Sequence, residues 1–375
     1  MANLFEPMTI GSMTARNRLV RAATAESLCT RDGEPSAPLA ECYSQLAAGG
    51  VGTIITGFAY FMQGGKAAER SLNACSDEFG AAYRRMVDLV HGHGARIVLQ
   101  LVYGGSKSKL AAGDPRWLPA ASEAPCDGAP TADVLGPSAV ANPATSVVPR
   151  PASEADIDAV AAALGRAAAR AQRWGFDGVE VHGAHGYLLS QFLSPRFNRR
   201  TDSFGGSIDN RARALCRCIE AARQATGTDY PVLVKLNSCD DYDDPAGLAG
   251  GLSQDDSAAA ARLAQQAGAS ALEVSGDWHR ASKEVTDGQP YFGAFGARMA
   301  RELDIPVIVT GGWRSPRIAA AHLAQDGIAA IGLSRPLIRE PYLADRWQAG
   351  SPDDSLCIGC GICGNFAGIP CPSRM

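Results

Sequence analysis

The sequence predicts a single (β/α)8 TIM barrel with a Cys-rich C-terminal tail. Runs rich in Val and Ile alternate with Ala-rich helical stretches, the pattern of repeated βα units around a parallel sheet. Eight such runs can be counted, and eight strands close this barrel. Helices repeatedly end in glycine just before the next strand, in HGHGARIVLQ, RWGFDGVEVH, QQAGASALEVS and AQDGIAAIGL. A left-handed Gly there stops the helix and returns the chain to the sheet.

In order, the predicted strands are 19–24, 52–58, 96–102, 178–182, 232–236, 271–275, 307–310 and 328–333. Among the helices, 153–174 opens on Ser153 with Asp156 three residues on, close to a capping box. The stretches 77–91 and 255–266 read as helices too. A connection from about 104 to 151, dense in Pro, Ala, Ser and Gly, is long enough to predict a functional loop such as a lid. It follows the third strand, so it belongs at the barrel's C-terminal mouth, as does the segment 242–253 after the fifth. The expected division is a barrel over residues 1–350 and a tail over 351–375.

Composition narrows the function classes. With 375 residues, 46% apolar, 20% charged and a formal net charge of −4, the chain gives no electrostatic reason to bind nucleic acid or an anionic membrane. A small molecule is the expected partner, and a homo-oligomer is compatible with it. The N-terminus lacks the basic flank and apolar core of a signal peptide, and no window approaches about 18 apolar residues. The expected location is therefore cytoplasmic, with the eleven cysteines as reduced thiols.

Side chains at the C-terminal ends of barrel strands point to the mouth, so polar residues there are candidates for function. They are Ala23-Thr24-Ala25-Glu26, Thr56-Gly57, Gln100, His182 with His185, Lys235, Gly311-Gly312, and Ser334-Arg335. Gly311-Gly312 precedes Ser315-Pro316 at a helix start, where open backbone and the helix terminus suit a phosphate. Arg335 after the eighth strand completes such a corner. Lys235 within an apolar strand needs an anionic answer, either a structural ion pair or a ligand. Gln100 both donates and accepts, which suits the amide edge of a heterocycle or a buried backbone group. Together these residues suggest a nucleotide-like cofactor with a flat ring across the mouth.

The stretch GFDGVEVHGAHGYLLSQFLSPRFNRRTDSFGGSIDNRARAL closely resembles the signature segment of the old yellow enzyme family of FMN-dependent NAD(P)H oxidoreductases. LFEPMTIGSMTARNRLVRAATAE, VLQLVYGGSK, PVIVTGGW and IGLSRPLIREP extend the resemblance over roughly residues 3 to 347. It implies noncovalent FMN and NAD(P)H as co-substrate. Ala23, Thr24, Ala25 and Gly57 would lie along the flavin ring, Gln100 would bond its pyrimidine edge, and Lys235 would face N1 and O2. There a cation stabilises the negative charge of the reduced flavin. Gly311, Gly312, Ser334 and Arg335 would hold the phosphate.

By the same resemblance, His182 and His185 would hydrogen-bond the carbonyl oxygen of an α,β-unsaturated substrate, and Tyr187 would protonate its α-carbon. The implied cycle is ping-pong, NAD(P)H reducing FMN before the enone-type substrate enters. The first strand carries AATAES where many members have Pro and then Thr or Cys, and Tyr103 and Ser106 replace common residues. These departures leave open the reverse reaction, dehydrogenation or aromatisation of a cyclic substrate. A metal-dependent hydrolase or aldolase on the same barrel is the alternative from another class. The His182/His185 pair lacks a third ligand nearby in sequence, so no metal is assigned to it.

The tail reads CIGCGICGNFAGIPCP, placing Cys357, Cys360, Cys363 and Cys371 in a C-x2-C-x2-C-x7-C pattern. Four thiolates at such spacing suit an iron-sulfur cluster or zinc. The expectation is that no second flavin domain follows, which would leave a cluster without an evident circuit. The expectation is a metal-free tail that covers the barrel or a neighbour's mouth, with the cluster as the lesser alternative.

Overall fold

A computed structural model describes residues 2–108, 134–285, 287–365 and 371. Eight parallel strands form a closed barrel: β1 (Leu19–Arg21), β2 (Thr53–Ile55), β3 (Arg96–Val102), β4 (Gly178–Gly183), β5 (Val232–Asn237), β6 (Ala271–Ser275), β7 (Val307–Thr310) and β8 (Ala330–Leu333). Each pairs with its sequence neighbour, and β8 closes onto β1 through Ile331 opposite Leu19.

Around the sheet lie α1 (Ala37–Ala48), α2 (Gly80–Gly92), α3 (Glu154–Arg173), α4 (Arg213–Thr226), α5 (Gln254–Gln266), α6 (Gly293–Glu302), α7 (Pro316–Gln325) and α8 (Leu343–Gln348). Ser153 caps α3 by accepting from the Asp156 amide at 3.2 Å, while Asp156 accepts from the Ser153 amide at 2.8 Å, a full capping box. Gly94, Gly175, Gly268 and Gly327, the four glycines that end helices in the sequence reading, all have φ between +72° and +102°. An L side chain at those angles is disfavoured, which is why glycine stands there.

Three boundaries differ from the sequence reading by three residues, and the others by two or fewer. The first strand stops at Arg21 rather than 24, and the second at Ile55 rather than 58, because Arg21, Thr24, Glu26 and Tyr43 tie the chain into a side-chain network. The second helix begins at Gly80 rather than Asp77. Asp77 instead accepts from Trp174 Nε1 at 3.1 Å and Arg173 Nη2 at 2.7 Å. Residues 109–133 of the expected lid lie outside the described residues; after them, Leu135–Gly136 pairs with Arg150–Pro151. Among the described cysteines nine are free thiols, but Cys75 is disulfide-bonded, so the expectation of uniformly reduced cysteines does not hold.

The inward positions of a strand recur every second residue, and this sorts the barrel interior into layers. At the N-terminal end Val20, Ile55, Val98, Leu233, Ala271, Ile308 and Ala330 form one apolar cluster. A hairpin of Met8–Ile10 and Met13–Ala15 plugs it from below with buried Met8, Ile10 and Met13. Two residues further along the strands the layer turns polar, with Gln100, Lys235, Glu273, Thr310 and, from β4, Glu180. Two residues beyond these come His182, Asn237 and Ser275, at the mouth. No described helix is long and apolar enough to cross a membrane.

Candidate active site

The mouth layer brings His182, His185 and Tyr187 together. The ring centroids of His182 and His185 are 5.1 Å apart, and those of His182 and Tyr187 5.0 Å, both edge to face. His182 is 3% exposed, and burial, followed by the neighbouring His185, Lys235 and Lys107, holds its pKa well below the usual imidazole value. It is neutral at pH 7. Its Nδ1 accepts from the Ala184 amide at 3.2 Å, so the ring proton is on Nε2, which makes Nε2 a donor.

His185 is held differently. Its φ of +59° is unusual for a residue with a Cβ, and three contacts fix it. Asn237 Oδ1 accepts from its amide at 3.0 Å, Lys107 Nζ donates to its carbonyl at 2.6 Å, and its Nε2 lies 2.9 Å from Ser275 Oγ. Burial and the cations Lys235 and Lys107 keep it neutral as well. Tyr187 packs against Phe58 at 5.8 Å and under the Lys107 ammonium at 5.2 Å. Burial pushes its phenol up to about 12, so it carries a proton throughout the ordinary pH range.

Below them the polar layer is fully enclosed. Gln100 Nε2 donates to Glu180 Oε2 at 2.5 Å, Lys235 Nζ to Glu273 Oε1 at 2.7 Å, and Thr310 Oγ1 to the same oxygen at 2.6 Å. Lys235 and Glu273 form an ion pair with side chains 2% and 0% exposed. Gly332 must lack a side chain here, since a Cβ would fall 1.8 Å from Thr310 Oγ1. Sequence reading found Gln100 and Lys235 but missed Glu180, Glu273 and Thr310. Charges inside VEV and LEV, judged as Lys235 was, would have revealed both glutamates.

On the other side of the mouth, Gly311, Gly312, Ser334, Arg335, Tyr291 and Cys357 line one cavity of about 200 Å³. Gly311 and Gly312 have φ of +112° and +91°, and a Cβ on Gly312 would meet Gln289 O at 2.4 Å. Open backbone beside a guanidinium gives this corner the chemistry of an anion site. Ser334 Oγ also lies 2.8 Å from Thr24 Oγ1, joining the end of β1 to this corner. Arg335 donates to Tyr291 Oη at 2.9 Å and to Gly359 O of the tail at 3.4 Å.

Of the remaining predicted residues, Ala23 and Thr24 are half-buried at the end of β1 and Ala25 is exposed. Ala25 and Gly57 line a separate, much smaller cavity with Glu26 and Tyr43. Gly57 is buried, and its amide donates to Tyr43 Oη at 2.8 Å. Tyr43 in turn donates to Glu26, which pairs with Arg21 at 3.0 Å. The tail passes over the phosphate-type corner, with Cys357, Cys360, Cys363 and Cys371 within electrostatic reach of one another. Among the described residues no three His, Cys, Asp or Glu side chains converge as metal ligands.

Residues 3–354 match the sequence profile of the NADH:flavin oxidoreductase / NADH oxidase family. The chain belongs to this family, the old yellow enzymes. The chain is 32% identical over 346 residues to an NADPH dehydrogenase of Geobacillus sp. (strain WCH70), covering 90% of this chain and 92% of the relative. It is 31% identical over 372 residues to a metal reductase of Desulforamulus reducens, covering 96% of this chain but 51% of that protein. The chain thus spans about half the length of the larger curated relatives, a Thermoanaerobacter brockii NADH oxidase among them. Its fold superposes on morphinone reductase in complex with tetrahydroNAD with a TM-score of 0.74 at 26% identity, covering 94% of this chain and 92% of the other.

Proposed function

We propose that this oxidoreductase binds FMN and uses NAD(P)H to reduce the activated C=C bond of an α,β-unsaturated carbonyl compound. The observation that carries this reading is the neutral His182 with its proton on Nε2, beside a second neutral imidazole and a protonated Tyr187. A neutral N–H donor polarises a carbonyl without surrendering its proton, and so draws electron density from the β-carbon. Tyr187, too weak an acid to ionise near pH 7, still protonates the enolate carbon.

The rest of the mouth suits the cofactor. Gln100 and Lys235 would meet the flavin's pyrimidine end, with Ala23, Thr24, Ala25 and Gly57 beside the ring. Gly311, Gly312, Ser334 and Arg335 would hold the phosphate in their cavity. When bound, FMN takes two electrons from NAD(P)H and passes them to the substrate. The fused Asn237, Lys107 and Ser275 contacts of His185 fix the donor geometry in advance, which is what a site for developing charge requires.

The test is direct. The purified protein, loaded with FMN, is reduced by NADH or NADPH without oxygen and mixed with 2-cyclohexenone. Reoxidation of the flavin with formation of cyclohexanone supports the reading. A flavin that stays reduced with this and other cyclic and acyclic enones overturns it.

A further inference from the structure

The polar layer holds two carboxyl groups against one cation. Glu180 and Glu273 are each 0% exposed, on β4 and β6, and flank Lys235 of β5. Three of the donors around them are accounted for: Gln100 on Glu180 Oε2, and Lys235 with Thr310 on Glu273 Oε1. The other two oxygens, Glu180 Oε1 and Glu273 Oε2, find no donor among the described residues. Yet the two carboxyl groups lie within hydrogen-bonding reach of each other. Two fully ionised carboxylates would face each other across unshared lone pairs, with a net negative charge sealed from water. One proton between them resolves both problems, giving each orphan oxygen a partner and bringing the layer to neutrality with Lys235.

We propose that Glu180 and Glu273 share a single proton, acting as a positioning pair that keeps one negative charge beneath the site and moves it between the Gln100 side and the Lys235 side. In the resting arrangement Glu180 carries the proton and donates to Glu273. Burial together with the neighbouring Glu273 raises the Glu180 pKa well above the carboxylate range, while Lys235 and the bonds from Glu180 and Thr310 outweigh burial to hold Glu273 low. The other groups facing the pair are Gln100 and Thr310, both uncharged.

The shift is a single proton transfer. The O–H bond at Glu180 breaks as one forms at Glu273, and the carboxylate charge passes from the Lys235 side to the Gln100 side. Negative charge arriving above Lys235 favours that transfer, because it leaves the ammonium free to answer the new charge. Gln100 and Lys235 thereby act as one unit. This part rests on the proposal that a flavin sits above them, whereas the shared proton does not.

Single glutamine substitutions test the pair without disturbing its shape. In Glu180→Gln the new amide accepts from Gln100 and donates to Glu273. In Glu273→Gln it accepts from Lys235 and Thr310 and donates to an ionised Glu180. Either way one carboxylate remains in the layer to offset Lys235. Infrared spectra of the apoprotein at about pH 8, above the ordinary carboxyl range, should show the carbonyl stretch of a protonated carboxylic acid. It should be absent from both single variants. The midpoint potential of bound FMN should stay near wild type in each single variant and rise only in the double variant, where Lys235 is uncompensated. A carbonyl band unchanged in both single variants overturns the shared proton, as does a potential that Glu180→Gln raises as far as the double variant does. The infrared result decides the matter even if the double variant does not fold or the protein takes up no flavin. Failure to reduce enones, by contrast, touches only the proposed function.

Discussion

The Ala184 amide donates to Nδ1 of His182 at 3.2 Å, and this one bond fixes which nitrogen of the neutral ring carries its proton. Both groups belong to the HGAHG turn, so the tautomer is set within three residues of chain. His185 is held in the left-handed region by Asn237 and Lys107. The chemistry of the proposed substrate site is thus written into local backbone geometry.

The depressed His182 pKa has a consequence for stability. The unfolded chain binds a proton at this residue below about pH 6.5, whereas the native ring resists it, so stability falls with falling pH in that window. The loss is about 1.4 kcal/mol per pH unit for one such group. His182→Asn removes that contribution. Denaturant unfolding at pH 7 and pH 5 should show a smaller loss of stability in the variant than in the wild type, and equal losses would refute the neutral assignment.

Tyr187→Phe keeps the ring, its contact with Phe58 and its place under Lys107, and removes only the phenolic hydroxyl. General acid catalysis contributes typically about 10²- to 10⁴-fold. Flavin reoxidation by an enone should slow by that order, while reduction by NAD(P)H is unchanged. Equal slowing of both half-reactions would point to a packing role.

The phosphate corner is testable through Gly312. A Cβ there meets Gln289 O at 2.4 Å in a backbone with φ of +91°, strain worth about 1–3 kcal/mol. Gly312→Ala should raise the FMN dissociation constant about 10-fold or more, measured by fluorescence titration of the apoprotein. Arg335→Ala, removing a charge-assisted bond of about 1.5–3 kcal/mol, should weaken binding about 10- to 100-fold. Unchanged FMN affinity in both variants would move the phosphate elsewhere.

Stability away from the site is checked at α3. Ser153→Ala removes the side-chain half of the capping box and should cost about 1 kcal/mol in chemical denaturation. Activity per folded molecule should be unaffected.

The barrel was legible because its signals are local and repeated. Val- and Ile-rich runs, four of them preceded by a helix-ending glycine such as Gly175 or Gly268, specify a strand whatever lies across the barrel. Strand ends were less so: β1 stops at Arg21, whose side chain pairs with Glu26, and Glu26 is held in turn by Tyr43 of α1. At the site, His182, His185 and Tyr187 are adjacent in sequence and were found together. Glu180 and Glu273 stand 93 positions apart and become partners only when β4, β5 and β6 align, and apolar neighbours mask each as an ordinary strand residue. Lys107 likewise reaches His185 from a separate loop.

The central claim, that His182, His185 and Tyr187 act on an enone above a bound flavin, is tested most directly by one anaerobic stopped-flow experiment. FMN-loaded enzyme, reduced by NAD(P)H, is mixed with 2-cyclohexenone while the visible flavin absorbance is followed. Rapid return of that absorbance in the wild type, lost in His182→Ala/His185→Ala despite retained FMN, is the predicted result. Return at the same rate in that variant, or no return in the wild type, would contradict it.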